Sequence, residues 1–420
     1  MGEKISKEER ILGLSRIWRD VKYCFARFYE VTSDGKWDAL YCEYLPLVAE
    51  AEDMRHYYEL LLRFVATLND GHTYVLVPDE IRPPYNIAIG TTYINGKHIL
   101  IETPKTHEDF LHAEILSVNG RELEEYLDEV LYPLAWHESK TSRFFYGLLG
   151  YVIGCTEHGI VTIGTDRGEF PVVVGEDTET VEKNLCVTLP EIKRAKDVCS
   201  SENLDIVVTE DNIGIIRFHA CASDVKENLY QNAAQLKDCR GFIIDVRRNS
   251  GGTDYASLAV ASLFFKHPIT EGRDFVRLIN PWEAAHGGDS ERKLTDNTTK
   301  PDVFEAPFHT DRPVAILTGG ITASAAESFL LMMKNEGRAV LIGERSAGTN
   351  GMPLIHSLPG GGKYAVCTQK CLTDDMVDYN NVGIKPDIEC YITLRDYENN
   401  YDRVMAEGLS YIRNRCENFS

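Results

Sequence analysis

Apolar residues at three-and-four spacing open the chain. Ile11, Leu12, Leu14, Ile17, Trp18, Val21 and Phe25 form one stripe, the mark of an amphipathic helix. A second stripe, Tyr58, Leu61, Leu62, Phe64 and Val65, predicts a helix over 57–68 that ends at the turn signal Asn69-Asp70-Gly71. Residues 7–69 thus read as mostly helical, and 73–77 as a short strand. From about residue 84 the pattern changes. Strands are predicted over 97–102 and 113–118, then a turn at Asn119-Gly120 and a helix over 122–130. A strand pair follows at 159–164 and 170–174. This is a small β-rich unit. The polar stretch 183–203 reads as a linker. Beyond residue 205 strands and helices alternate: strands at 214–218, 241–246, 314–317 and 340–342, helices at 255–265 and 325–333. Residues 279–302 read as a surface loop or insertion. Gly360-Gly361-Gly362 reads as a hairpin turn between strands near 355–358 and 364–367.

Charge and composition narrow the picture. The chain has 420 residues, 65 acidic against 44 basic, for a formal net charge of −21. Its composition is that of a globular protein, and its length suggests two or three domains. The acidic balance argues against non-specific binding to nucleic acid or anionic membrane. The most apolar stretches, 258–265 and 314–321, fall well short of the roughly 20 residues of a membrane span. The first residues are charged and then amphipathic, with no secretory signal core, which implies a cytoplasmic protein or an exported one whose signal is absent from this sequence. Eleven scattered cysteines without a CxxC pair read as reduced, mostly buried thiols. Cys367 and Cys371 lack the further ligands of a zinc set.

Three segments carry candidate chemistry. In 317–329, a predicted strand ends in Gly319-Gly320, and Ser324 falls at the junction with a helix, where free backbone amides and the helix dipole favour a developing oxyanion. Read locally, Ser324 serves more simply as a helix cap. In 245–252, a buried strand runs into Asn249-Ser250-Gly251-Gly252, a tight turn or an anion-binding nest. It has no phosphate-loop lysine. His72, between a helix and a strand, is a base if Ser324 comes near, and otherwise one structural histidine among twelve. Glu327, three positions after Ser324, reads as a first-turn helix contact. Trp282, His286 and Gly287-Gly288 read as a solvated loop rather than a lid.

Taken together, these segments resemble the C-terminal processing peptidases and their tricorn-core relatives, serine peptidases with a crotonase-like core. Leu68-Asn69-Asp70-Gly71-His72-Thr73 resembles the family's "L-x-D-G-H-T". Residues 241–252 resemble its "G-hydrophobic-D-x-R-x-N-x-G-G", and Thr322-Ala323-Ser324-Ala325-Ala326-Glu327 its "S-A-S-A-x-E". Gly343-Glu344 with Gly348, and Gly383-Ile384-Lys385-Pro386-Asp387-Ile388, are similar to its "G-E-x-T-x-G" and "G-I-x-P-D-I". The resemblance implies an α/β fold with a crotonase/ClpP-like catalytic core over 200–420, an N-terminal helical domain over 1–80 that carries His72, and a PDZ-like β-rich module over 84–180. The 113–125 segment matches the PDZ pattern in part, with His112-Ala113 in place of Gly-Asp. Such a module either grips peptide or is merely structural.

The family pattern is also departed from. Where the processing peptidases place the lysine of a Ser-Lys dyad, this chain has Thr349. The tricorn-like branch instead uses a histidine at the position of His72, preceded by Ser where this chain has Gly71, and a Glu where this chain has Asn380. Asp378 is the nearest carboxylate and the expected orienting acid. The resemblance therefore implies peptide-bond hydrolysis by Ser324 with His72 as base. Gly251 or Gly252 together with Ala325 would form the oxyanion hole. The base would titrate near the ordinary 6.5. No cofactor or metal is implied. The expected partners are a peptide or unfolded protein substrate and, as in relatives that assemble, other copies of the chain. The rival reading is a degenerate member that keeps the fold and binds a peptide or hydrophobic ligand. A crotonase-type acyl-CoA enzyme ranks last, because that family lacks the helical domain and the "G-I-x-P-D-I" ending.

Overall fold

The computed structural model describes residues 5–81, 87–131, 149, 150, 153, 157, 159–182, 194–289 and 293–417. Helices α1 (Lys7–Cys24), α2 (Phe28–Val31), α3 (Asp34–Ala49) and α4 (Met54–Ala66) come first, then strand β1 (Tyr74–Leu76). α1 starts at a capping box in which Ser6 and Glu9 satisfy each other's backbone amides, and Asp53 caps α4 through the His56 amide. Leu14, Ile17 and Val21 of α1 bury one stripe against Trp37, Tyr57, Leu61 and Phe64. This core is not closed by the helices alone. Leu358, Tyr364, Val366 and Cys367 complete it from nearly three hundred residues downstream.

The β-rich unit contains β2 (Gly90–Ile94), β3 (Lys97–Pro104), β4 (Ile115–Val118), β5 (Arg121–Glu122), helix α5 (Leu123–Tyr126), β6 (Ile160–Thr165), β7 (Gly168–Val173) and β8 (Thr180–Glu182). It forms two antiparallel sheets, β2-β3-β8 and β5-β4-β6-β7, around Leu100, Ile115, Val118, Ile163 and Phe170. The helix expected over 122–130 is a short α-turn continued by a wider π-type turn, Leu127–Leu131. Residues 183–193 of the expected linker lie outside the described residues. Residues 194–200 are not linker but a strand, because Val198 and Cys199 pack on the neighbouring core.

The third unit contains β9 (Arg194–Ser200), β10 (Leu204–Thr209), β11 (Ile213–Phe218), α6 (Val225–Gln231), β12 (Gly241–Asp245), α7 (Asp254–Ala261), β13 (Arg273–Arg277), α8 (Pro281–Ala285), β14 (Leu294–Asp296), β15 (Val314–Thr318) and α9 (Ala325–Asn335). There follow β16 (Val340–Gly343), β17 (Pro353–Ser357), β18 (Lys363–Cys367), β19 (Gln369–Leu372), β20 (Ile388–Glu389), α10 (Leu394–Glu398) and α11 (Arg403–Glu417). The large sheet runs β20-β16-β15-β12-β11-β10-β9, parallel from β20 to β11 and antiparallel beyond. It is an α/β fold with a mixed sheet. Alternate side chains serve its two faces. Phe242, Ile244 and Ile316 meet the core under α7 and α9, while Ile243, Ala315 and Leu317 meet Val404, Met405, Leu409 and Ile412 of α11. Covered on both sides, the central strands read as continuous apolar runs.

The segment expected as a plain surface loop at 279–302 contains α8 and β14, and β14 pairs with β13, which in turn pairs with β19. Among the described residues every cysteine is a free thiol, and Cys42 alone is exposed. No helix of these residues is long and apolar enough to cross a membrane.

Candidate active site

Ser324 stands between β15 and α9, on a turn clasped from two sides. The Thr322 hydroxyl donates to Val246 O and accepts from the Gly319 amide; the Ala323 amide donates to Asn249 O, and the Ser324 amide to Thr349 O at 2.7 Å. Held this way, Ser324 has φ +54° and ψ −127°, a conformation that a Cβ disfavours and that costs on the order of 1–3 kcal/mol. Ser324 occupies the cap position of α9, yet its hydroxyl makes no cap bond. The local expectation of a simple helix cap is therefore corrected. The strained backbone turns the side chain away from the helix, and Oγ lies 3.0 Å from His72 Nε2.

His72 is seated by the turn that ends α4. Asn69 adopts positive φ, and Asp70 Oδ1 accepts the His72 amide at 3.1 Å and the Thr73 hydroxyl at 2.9 Å. The Thr73 hydroxyl in turn accepts the Cys367 amide, where β1 pairs with β18. His72 is 8% exposed. Its Nδ1 has no hydrogen-bond partner among the described residues. Burial pushes its pKa down to about 4, which corrects the expected value near 6.5: the sequence does not show that the imidazole is enclosed. Burial also raises the Asp70 carboxyl, to about 6, against its hydrogen bond from Thr73.

The glycine turn faces Ser324 closely. Gly251 has φ +101°, and a Cβ there would lie 2.6 Å from Ser324 Cβ. Its amide, however, donates to Asn249 Oδ1 at 2.9 Å. Gly251 is thus corrected as an oxyanion donor, because its proton is already engaged. The amides of Gly252 and Ala325 have no partner among the described residues. Asn249 is fully buried, and its Nδ2 donates to Phe218 O, which fixes the turn. Sequence reasoning passed over both Asn249 and Asp70. The signal for each was a side chain able to bond backbone two residues on.

Asp378 is also corrected. Its carboxylate is taken by Arg27 in a two-pronged pair, at 2.7 and 2.9 Å, with Lys370 at 3.5 Å, and it makes no hydrogen bond to His72. Arg27 holds its pKa below the usual carboxylate range, against the opposing pull of burial. Asn380, at the family's Glu position, donates its amide to Asp378, while Asn381 Nδ2 donates to Asn69 O. Glu327, expected as a first-turn contact, is fully buried and reaches further. It accepts from the Ser346 hydroxyl and from the Gly348 amide, so the loop carrying Thr349 is tied beneath Ser324. Burial raises its pKa to about 8. Trp282 is 71% exposed, and its ring forms a tilted pair with that of His286 at 4.2 Å. Among the described residues no three His, Cys, Asp or Glu side chains gather as metal ligands would.

Comparison with known proteins gives this geometry a context. Residues 212–390 match peptidase family S41. A carboxyl-terminal-processing protease of Picosynechococcus is 24% identical over 219 residues, 50% of this chain and 47% of that protein. The chloroplastic carboxyl-terminal-processing peptidase 3 of Arabidopsis thaliana is 28% identical over 170 residues, 40% of this chain and 29% of that protein. The chain thus spans less than half the length of these relatives. Among solved structures, mature CPAF complexed with lactacystin superimposes with a TM-score of 0.66 at 14% identity, covering 98% of both chains. The photosystem II D1 C-terminal processing protease gives 0.50 at 16% identity, covering 91% of this chain and 93% of that one. At such identities the likeness is one of fold.

Proposed function

From the match of residues 212–390 to peptidase family S41 we propose that the chain is a serine-type peptidase with Ser324 as nucleophile and His72 as base. The observation that carries this reading is the 3.0 Å contact between His72 Nε2 and Ser324 Oγ, two residues 252 positions apart. His72 Nε2 takes the Ser324 proton as Oγ attacks the carbonyl carbon of a peptide bond. The oxyanion that forms is received by the Gly252 and Ala325 amides, and losing one such donor typically costs about 3–4 kcal/mol of barrier. His72 then returns the proton to the leaving amine, and water, deprotonated by the same imidazole, releases the acyl group from Ser324. With Thr349 where a dyad lysine would stand, the relay is tricorn-like rather than Ser-Lys. The substrate is a peptide or an unfolded protein segment.

This reading goes with a division of the chain into a helical unit carrying His72, a PDZ-like module and a crotonase/ClpP-like core. It is supported by the distinct apolar clusters, of which the N-terminal one is completed by residues 358–367 of the third unit, and by the parallel strands flanked by helices on both faces. One observation favours the rival, degenerate reading: His72 Nδ1 has no hydrogen-bond partner among the described residues, and Asp378 is taken by Arg27. Labelling with a fluorophosphonate probe separates the two. The native chain should label covalently, Ser324→Ala should not label at all, and His72→Ala should label at least about a hundredfold more slowly. A folded native chain that takes no label, or a Ser324→Ala variant that still does, would sink the peptidase reading.

A further inference from the structure

β17 is an outer strand of the sheet β1-β18-β17. Leu354 faces Val366 and His356 faces Tyr364 across the β17–β18 pair; Met352 O accepts the Thr368 amide, and the Leu358 amide donates to Gly362 O. Antiparallel ladders alternate bonded and non-bonded pairs. The even-numbered residues therefore give their backbone groups to β18, and Pro353, Ile355 and Ser357 turn theirs outward. The amides and carbonyls of Ile355 and Ser357 have no partner among the described residues. The strand is also bare of cover: Leu354 is 37% exposed, Ile355 50%, and Met352 beside them 53%.

Such an edge is a template for an added strand, and proteins guard idle edges with charged side chains. From Ser346 to Gly362 the sequence has no Asp, Glu, Lys or Arg. Its guards are Pro353 and Pro359, both in the outward phase and both without an N–H, so the outward donors are those of Ile355 and Ser357. The open ladder thus takes one short segment, about the five residues of β17, and does not propagate. The charge around it selects the segment. On α1, Arg19 and the Tyr364 hydroxyl hold Asp20, which lies 3.8 Å from His356 Nε2. Arg16, one turn earlier, reaches Tyr364 electrostatically and makes no hydrogen bond or ion pair among the described residues. Lys363, opposite Ser357, is exposed and likewise unpaired. Three cations against one enclosed carboxylate make this a positive patch on a chain of net charge −21.

We infer that the outer edge of β17 is a docking site for an extended acidic segment of a partner protein, which adds as a fourth strand and places a carboxylate on Arg16. A second copy of this chain is the poorer occupant, since two chains of such net charge repel. The inference is independent of the peptidase reading. Two strand spacings, about 10 Å, separate this edge from β1, which follows His72, so the docked segment lies outside the contact between His72 and Ser324.

The test is fluorescence anisotropy with the Ser324→Ala chain and a fluorescein-labelled nonapeptide in which Glu alternates with Val. It should bind at least about tenfold tighter than the same peptide with Lys for Glu, or with its amides N-methylated throughout. Ile355→Pro, which removes an outward donor and keeps the bonds to β18, should abolish binding. Arg16→Gln should erase most of the preference for Glu over Lys. No binding up to millimolar peptide, equal binding of the Glu and Lys forms, or undiminished binding by an Ile355→Pro variant of unchanged melting temperature would each overturn the inference. Sedimentation showing a dimer that Ile355→Pro dissolves would give the edge to a second copy and overturn it as well. Fluorophosphonate labelling of the native chain is read separately: its absence beside intact binding would sink the peptidase reading and leave the docking site standing.

Discussion

As the proposed base, His72 is weakened by its surroundings. Enclosed at 8% exposure, its imidazole is pushed down to about 4 and is neutral across the physiological range. The rate of fluorophosphonate labelling should therefore stay level from about pH 8 to pH 5.5 and fall only as the pH drops through about 4. A midpoint at the ordinary 6.5 would mean that the ring is open to water, contrary to its burial. The sign follows from the direction of the shift: protonation removes the base, and a depressed pKa postpones that loss to lower pH. Ser324 makes the complementary point. Its φ of +54° suits glycine, so the proposed nucleophile sits on backbone that resists a side chain. Urea denaturation should find Ser324→Gly more stable than Ser324→Ala by about 1 kcal/mol, with neither taking label. Equal stabilities would remove the case for strain.

At the scale of elements, the chain's pattern was most legible where packing is two-sided. β12 and β15 are buried on both faces, so their apolar runs announced them, and α1 and α4 announced themselves by one buried stripe. β2, β19 and β20 escaped notice because they are short and only partly buried, leaving little alternation to read. α11 escaped although Met405, Leu409, Ile412 and Cys416 follow helical spacing, since charged residues dilute its stripe. His72, Ser324, Gly252 and Ala325 were named through the resemblance of their segments to a family, since read locally they are a plain helix cap, a turn and a structural histidine. The fate of Gly251 and Asp378 could not be read in that way, since a competing partner, Asn249 in one case and Arg27 in the other, decides it across the fold.

For the molecule as a whole, the question is what holds separately built cores in register. Arg277 donates to the carbonyls of Lys22 and Phe25 and lies against the rings of Phe28 and Tyr29; Tyr364 bonds Asp20; and Arg27 grips Asp378. Behind the glycine turn, Arg247 bridges Asp245 to Asp402, which also accepts the Met405 amide at the start of α11. Both sides of the Arg247–Asp402 pair are about 95% enclosed. Truncating one partner of such a pair leaves a buried charge uncompensated, so Asp402→Ala should lower unfolding free energy by about 3–5 kcal/mol in urea titrations. The loss should hardly vary with added salt, which screens surface pairs far more than enclosed ones. A loss below about 1 kcal/mol would show the bridge to be solvated.

The strand that seats His72 finds its partner only at β18, and the Thr73 hydroxyl meets the Cys367 amide across 294 positions of sequence. A ribosome delivering this chain has translated His72 and, much later, Ser324 well before that partner emerges. Until then the imidazole has no fixed seat, and the serine has no proton acceptor. The order of synthesis thus delays the proposed relay: a polypeptide cut short before β18 would lack the strand partner beside which its proposed base is seated.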